Sequence, residues 1–250
     1  MRAGRLQTRR YKARKQRRWA ALILPSRRAQ DVPMEGKTQS VEITLPAGLW
    51  HVLRLGEFSD AAQAYQTAAA YQDRGAGGYV LSGENHQVLA AAYASRSDAQ
   101  QVQSRLSLQY GIETEQTDVS WPEIRLRLTG REDQLTAVDS ALSALLALPE
   151  QLYALSDSLD RQTADAPQVR AALLSYGDTL TALGNRLDAA FSAPPRTVSS
   201  LRAALSALSS ALEDARSASG GARLGGQVKY CQLMALCLTR QLTETLSGGS

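Results

Sequence analysis

The stretch GEFSDAAQA at residues 56–64 shares its pattern, position by position, with AAYASRSDA at residues 91–99. Each stretch follows a short run of strand-forming residues, and each leads into a helix-forming run that stops at a glycine, Gly75 or Gly111. Such internal repetition is typical of one supersecondary unit that is used twice. The chain is therefore expected to fold around a duplicated strand–helix–strand unit.

The first copy shows how one unit is built. Residues 49–55 (LWHVLRL) are rich in strand formers, and Leu49, Leu53 and Leu55 share a parity that places them on one face. Gly56 lets the chain leave the strand, and Ser59 or Asp60 can cap the helix that follows. The apolar stripe of that helix is mostly alanine, so the helix can lie close to a sheet.

The second half continues the same pattern. Strands are predicted at residues 79–81 and 87–91, with a turn between them, and a helix at residues 97–110 precedes a further strand that begins at Ile112. The resulting order, βαββαβ, predicts an antiparallel sheet of the ferredoxin or ribonucleoprotein type. Both helices are expected on one face, with Phe58 and Tyr93 in equivalent places beneath the sheet, and the other face is expected to be bare.

The two strand ends resemble a known family. Residues 53–58 (LRLGEF) and 88–93 (VLAAAY) are similar to the VQVGxF-type and RVxVGPF-type strand ends of the SPOR (sporulation-related repeat) domain. The resemblance spans residues 48–120 and implies a small domain that binds septal peptidoglycan, particularly glycan strands stripped of their peptides. It also implies a bacterial envelope protein outside the cytoplasm, with a role in cell division or sporulation.

This chain departs from the family pattern at four positions. Arg54 replaces the usual glutamine, Ala91 the second glycine, Ala92 the proline and Gln87 the usual arginine. These positions lie on or near the presumed binding face, so they bear on the ligand more than on the fold.

Strand parity identifies the candidate ligand-binding residues. If the side chains of Leu53, Leu55, Val88 and Ala90 point at the helices, the alternate positions point at the bare face. An aromatic ring that stacks on a sugar, together with a cation and an amide that meet hydroxyl groups, suits a glycan chain. Coverage of Trp50 by the linker or by the helical region stays open as the alternative. The candidate residues are Trp50, Val52, Arg54, Gln87 and Leu89.

The N-terminal segment is strongly basic. Residues 1–28 hold 11 of the 28 Lys and Arg residues and no acid, which leaves 17 basic and 24 acidic side chains in the rest of the chain. The apolar run at residues 19–24 is too short to cross a bilayer, although a basic flank before an apolar run copies the start of a signal-anchor. Three interpretations stay open: a membrane anchor missing from this sequence, a disordered tail, and an arm that contacts anionic lipid or nucleic acid.

The C-terminal half is predicted to be helical. After a strand with Ile124, Leu126 and Leu128 on its buried face, expected at a sheet edge, Thr129 and Glu132 fit a capping box. Leucine spacing then predicts a helix that ends at Pro149, a shorter helix, and three further helices with alternating steps of four and three, which favour an antiparallel bundle. Domains are expected at residues 44–129 (sheet) and 130–247 (bundle), after a tail and linker at residues 1–43.

The sequence offers little sign of catalysis. It has no phosphate-binding loop, no spacing typical of metal ligands and no nucleophile elbow, and Glu113 and Glu115 fit an exposed strand better than a glycosidase pair. Cys231 and Cys237 lie too far apart along one helix for a disulfide and are expected to be buried. No enzyme activity and no cofactor are expected.

The sequence thus predicts a non-enzymatic glycan-binding protein. Two alternatives stay open: an RNA-binding ribonucleoprotein-like module with a basic arm, and a scaffold whose helical bundle binds another protein. The first lacks the aromatic spacing that stacks bases on the central strands, so nucleic acid is not the expected partner.

Overall fold

A computed structural model describes residues 38–247, so the predictions for the N-terminal tail lie outside the described residues. This part of the chain has the mixed α+β architecture that the sequence predicts. The strands are β1 (Gln39–Leu45), β2 (Gly48–Phe58), β3 (Tyr79–Ser82), β4 (His86–Tyr93), β5 (Glu115–Trp121) and β6 (Ile124–Gly130). The helices are α1 (Ala61–Gln72), α2 (Arg96–Tyr110), α3 (Glu132–Asp160), α4 (Ala166–Ala190), α5 (Arg196–Arg216) and α6 (Gly221–Ser247).

The duplicated unit forms one four-stranded antiparallel sheet in the order β3-β4-β2-β5. The two corresponding strands of the repeat, β2 and β4, are therefore central neighbours, and the predicted βαββαβ order is confirmed. Both helices begin at side-chain caps: Asp60 accepts from the amide of Ala62 at 2.7 Å, and Ser95 accepts from the amide of Asp98 at 3.4 Å. Gly111 ends α2 in the left-handed conformation, at φ 61°.

Strand parity on the helix-covered face is confirmed. Leu55 and Val88 pack with Ala64 and Ala68 of α1, whereas Leu53 and Ala90 pack with Ala99 of α2. Alanine at these helix positions lets both helices lie close to the sheet.

Phe58 and Tyr93 occupy equivalent places, since each half-buried ring packs into the cluster of the helix that follows it. Leu49 shares the parity of Leu53 and Leu55, but it remains 52% exposed at the start of β2.

A second, two-stranded sheet pairs β1 with β6, from Gln39 opposite Gly130 to Leu45 opposite Ile124. Two predictions were wrong here. Residues 39–43 belong to a strand and not to a linker, and β6 pairs with that strand instead of extending the main sheet. The physical reason is that Ile43 and Leu45 alternate with polar residues and bury their side chains against the bundle, as do Ile124 and Leu126 on β6.

Helices α3 to α6 form the predicted bundle around a leucine-rich core. The predicted break at Pro149 was wrong, because α3 runs through it as one helix. A proline inside a helix removes one backbone hydrogen bond, but burial of Leu145, Leu148 and Leu152 on the same helix offsets that loss. The start of α3 also differs: Arg131 is the N-cap, and its amide donates to Oε1 of Gln134 at 3.0 Å.

Helix α6 connects the four-stranded sheet to the bundle, because it is buried on two sides. Its Val228, Cys231 and Ala235 face the bundle core, whereas Leu233 and Leu236 contact the four-stranded sheet. The sheet face that was predicted to be bare is thus covered. None of the helices in residues 38–247 combines the length and apolar character needed to span a bilayer.

Candidate functional site

The five predicted ligand-binding residues do share one sheet face, but the structure divides them into two groups. Trp50, Val52 and Leu89 are 8%, 0% and 1% exposed. They lie in a hydrophobic cluster with Leu233 and Leu236 of α6. These three side chains are therefore unable to contact a ligand in this arrangement, which corrects the expectation that they form an open binding surface.

Trp50 is held from a second direction by α3. The ring of Tyr153 meets the Trp50 ring edge to face, with centroids 5.9 Å apart, and it also meets the ring of Tyr93 at 6.2 Å. Such edge contacts add to the burial of apolar area. Trp50 is thus an anchor between the sheet and the bundle.

The contact between α6 and the sheet domain is close enough to bring backbone against backbone. A Cβ atom at Gly226 would lie 2.7 Å from the carbonyl oxygen of Gln72 and 2.8 Å from that of Ala76. A Cβ atom at Gly77 would lie 2.9 Å from the carbonyl oxygen of Ala90 and 3.2 Å from the carbonyl carbon of Lys229. Only glycine fits at such distances, so the sequence is adapted to a tightly closed interface.

Two polar side chains of α6 add hydrogen bonds across the same interface. Gln232 donates from Nε2 to the carbonyl oxygen of Ala92 at 3.2 Å and is 1% exposed. Lys229 donates from Nζ to the carbonyl oxygen of Gly75 at 3.3 Å and pairs with Asp160 of α3 at 2.8 Å. Buried polar groups that find such partners favour one specific docking geometry.

Arg54 and Gln87 lie at the end of the sheet face that remains partly exposed, which we call the polar end. Arg54 is paired across the strands with Leu89 and Glu115, and its guanidinium donates to the carboxylates of Glu57 and Glu115. The hydrogen bond to Glu115 raises the pKa of Arg54 further above its usual value, so the side chain stays charged.

The amides of the polar end converge on Glu57. Asn85 donates from Nδ2 to its Oε1 at 2.8 Å, and Gln87 approaches its Oε2 at 3.5 Å. Arg54 is 21% exposed and Glu57 35% exposed, so water and solutes reach the cluster. The polar end therefore offers one guanidinium, carboxylates and amide groups on the two central strands.

A histidine–aspartate pair, His51 with Asp118, lies on the other face of β2, and the sequence did not indicate it. Nδ1 of the buried His51 is 2.8 Å from Oδ1 of Asp118, whose Oδ2 accepts from Arg96 at 3.2 Å. These contacts join β2, β5 and the start of α2. His51 and Asp118 are far apart in sequence, so only the strand register, which places them opposite each other, reveals the pair.

Carboxylates and metal ligands form no further cluster in residues 38–247. Glu113 accepts from Ser107 at 2.8 Å, whereas Glu115 is engaged by Arg54, so the two glutamates serve different contacts. No group of three or more His, Cys, Asp and Glu side chains suited to a metal ion occurs in the described part of the chain.

Cys231 and Cys237 are free and buried, as predicted. Burial raises the pKa of Cys237 to about 12 and that of Cys231 well above its usual range. Since the thiolate is the reactive form, both thiols are expected to resist a disulfide reagent in the native protein and to react in denaturant.

The same labelling experiment reports on the closed sheet face. Both cysteines belong to α6. Cys237 is on the side that packs against the four-stranded sheet, whereas Cys231 is on the side that packs into the bundle core. With Cys231→Ala and Cys237→Ala variants assigning each signal, we expect native labelling of both thiols to be equally slow. Rapid reaction of Cys237 alone would show that α6 leaves the sheet while the bundle stays folded.

Comparison of this chain with known protein families, with curated proteins and with solved structures finds no match. The resemblance to the SPOR domain therefore stays a prediction that rests on residues 48–120 and on the order of the strands.

Proposed function

We propose that this chain is a non-enzymatic envelope protein that binds peptidoglycan glycan strands through the polar end of its sheet. The observation that carries the proposal is that Arg54 and Gln87, two of the five predicted residues, belong to one partly exposed polar cluster on the paired central strands β2 and β4. The domain consists of two copies of one unit in the order βαββαβ, and the corresponding strands of the two copies pair at the centre of the sheet. This arrangement supports the SPOR resemblance and the ligand that the resemblance implies.

The closed sheet face changes how such binding would work. Trp50 is covered and cannot stack on a sugar ring, so recognition is left to hydrogen bonds between hydroxyl groups and the guanidinium, carboxylate and amide groups of the polar end. Each such bond replaces one to water and contributes about 0.5–1.5 kcal/mol. A glycan chain that spans several sugars is then needed for useful affinity.

Sedimentation with purified peptidoglycan, before and after amidase removes the peptides, tests this proposal. We expect the Arg54→Ala, Gln87→Ala double variant to sediment severalfold less with stripped glycan than the parent does. Binding by neutral hydroxyls should survive moderate salt, whereas phosphate binding weakens steeply as salt rises.

Arg125→Ala is the matched control. Arg125 is an arginine in an exposed ion pair with Glu123 on the two-stranded sheet, away from the polar end, and its loss should leave sedimentation unchanged. Equal sedimentation of the parent and the double variant, or no sedimentation of the parent, would contradict glycan binding at this site.

The covered face favours a second candidate, the protein-binding scaffold. Because α6 packs against both the sheet and the bundle core, the two parts form one continuous body. A parent that ignores peptidoglycan and RNA alike would support the scaffold, whereas a parent that ignores peptidoglycan but retains RNA would support the ribonucleoprotein-like alternative.

A further inference from the structure

An apolar groove lies between the two-stranded sheet and the helical bundle, and its lining residues do not include any from the four-stranded sheet. It has a volume of about 150 Å³ and is bounded by β6, α3, α5 and α6. Leu128, Val138, Leu201 and Leu246 are among the side chains that line it. Most of the lining side chains are apolar, so an apolar side chain that enters the groove is removed from water.

The chain enters the folded body next to this groove. Gln39, the first residue of β1, is paired with Gly130, and the hydroxyl of Ser40 is 2.8 Å from that of Thr129. Both Thr129 and Gly130 belong to the groove wall. The residues that precede β1 in sequence are therefore joined to the folded body beside the groove.

The sequence before β1 contains one apolar run that could fill it. Residues 19–24 read WAALIL, whereas the next longest run without a polar residue before residue 38 is the three residues 32–34 (VPM). The connection from residue 25 to residue 38 can reach about 45 Å when extended, far more than needed. Tethering over so short a connection gives an effective concentration near the millimolar range.

The charges of the two parts also favour contact between residues 19–24 and the folded body. Residues 38–247 carry 16 Lys and Arg against 22 Asp and Glu side chains, whereas the run at residues 19–24 lies between Arg17-Arg18 and Arg27-Arg28. A basic segment is thus attracted to an acidic body. We propose that residues 19–24 of this chain dock in the groove between β6 and the bundle, with one large side chain in the cavity.

The three tryptophans of the chain make this measurable. Trp50 and Trp121 are 8% and 7% exposed, so quenching of fluorescence by acrylamide reports mainly on Trp19, and a Trp19→Phe variant supplies the background. In the full-length parent, Trp19 is expected to be protected. Leu128→Glu, which places a charge in the groove wall, should raise its quenching severalfold.

Arg127→Glu is the matched control, since Arg127 is the exposed neighbour on the same strand and points away from the groove. It should leave quenching unchanged. Ile23→Asp changes the docking segment instead of the folded body and should expose Trp19 even if Leu128→Glu disturbs folding. Protection of Trp19 that neither Leu128→Glu nor Ile23→Asp removes, or no protection in the parent, overturns the proposal.

Two further outcomes distinguish other occupants. Protection that grows with protein concentration would place the segment in the groove of a second copy and overturn the intramolecular form. Protection that appears only when anionic vesicles are added would assign residues 19–24 to a lipid surface and likewise overturn it.

Discussion

Replacement of Trp50 by alanine is expected to destabilise the protein by about 3–5 kcal/mol. Trp50 is 8% exposed and packs against α6 and Tyr153, so truncation removes buried apolar area and leaves a cavity. Chemical denaturation should show a lower midpoint with an unchanged slope. This expectation replaces the sequence-based one, in which Trp50 lies on a bare sheet face and contacts the ligand.

Leu49→Ala is the control for this experiment. Leu49 is the preceding residue on the same strand, but it is 52% exposed, so its truncation should cost less than about 1 kcal/mol. A Trp50→Ala variant as stable as the Leu49→Ala variant would show that α6 does not cover the sheet in solution.

Gly226→Ala is expected to destabilise the protein by about 1–3 kcal/mol, although alanine is usually the better helix former. In an exposed helix interior the same change stabilises by about 0.5–1 kcal/mol. Here the new methyl group would meet the carbonyl oxygens of Gln72 and Ala76 below 3 Å. Since those atoms are backbone, α6 would have to move away from the sheet domain.

Gly184→Ala is expected to change the stability of the same protein in the opposite direction. Gly184 is inside α4, and a Cβ atom there meets nothing within 4 Å, so this change should raise the thermal midpoint slightly. A Gly226→Ala variant that is stabilised like Gly184→Ala would contradict the close approach of α6 to the loop that follows α1.

The candidate site shows which features strand periodicity predicts and which it does not. Alternation along β2 and β4 correctly placed Trp50, Val52, Arg54, Gln87 and Leu89 on one face, because successive side chains of a strand point to opposite faces. It gave no information on what lies against that face. The signal was present in α6: residues 233–237 (LMALC) are all apolar, and a helix that is apolar around most of its surface is buried on more than one side.

The boundaries that were missed have a similar origin. Pro149 argues locally for a helix end, and the polar composition of residues 26–42 argues for a linker. Burial of Leu148 and Leu152 in the bundle, and of Leu45 against it, overrode both local preferences.

Sequence alone determined the βαββαβ order, the faces of its strands, a capped start of the first helix at Ser59 or Asp60, and the leucine seams of the bundle, because each depends on local periodicity and turn chemistry. Only the tertiary structure decided that α6 closes the sheet, that β1 pairs with β6 and that Gly226 must lack a side chain. These features depend on contacts between residues distant in the chain, where the burial of two apolar surfaces against each other outweighs the preference of either segment alone.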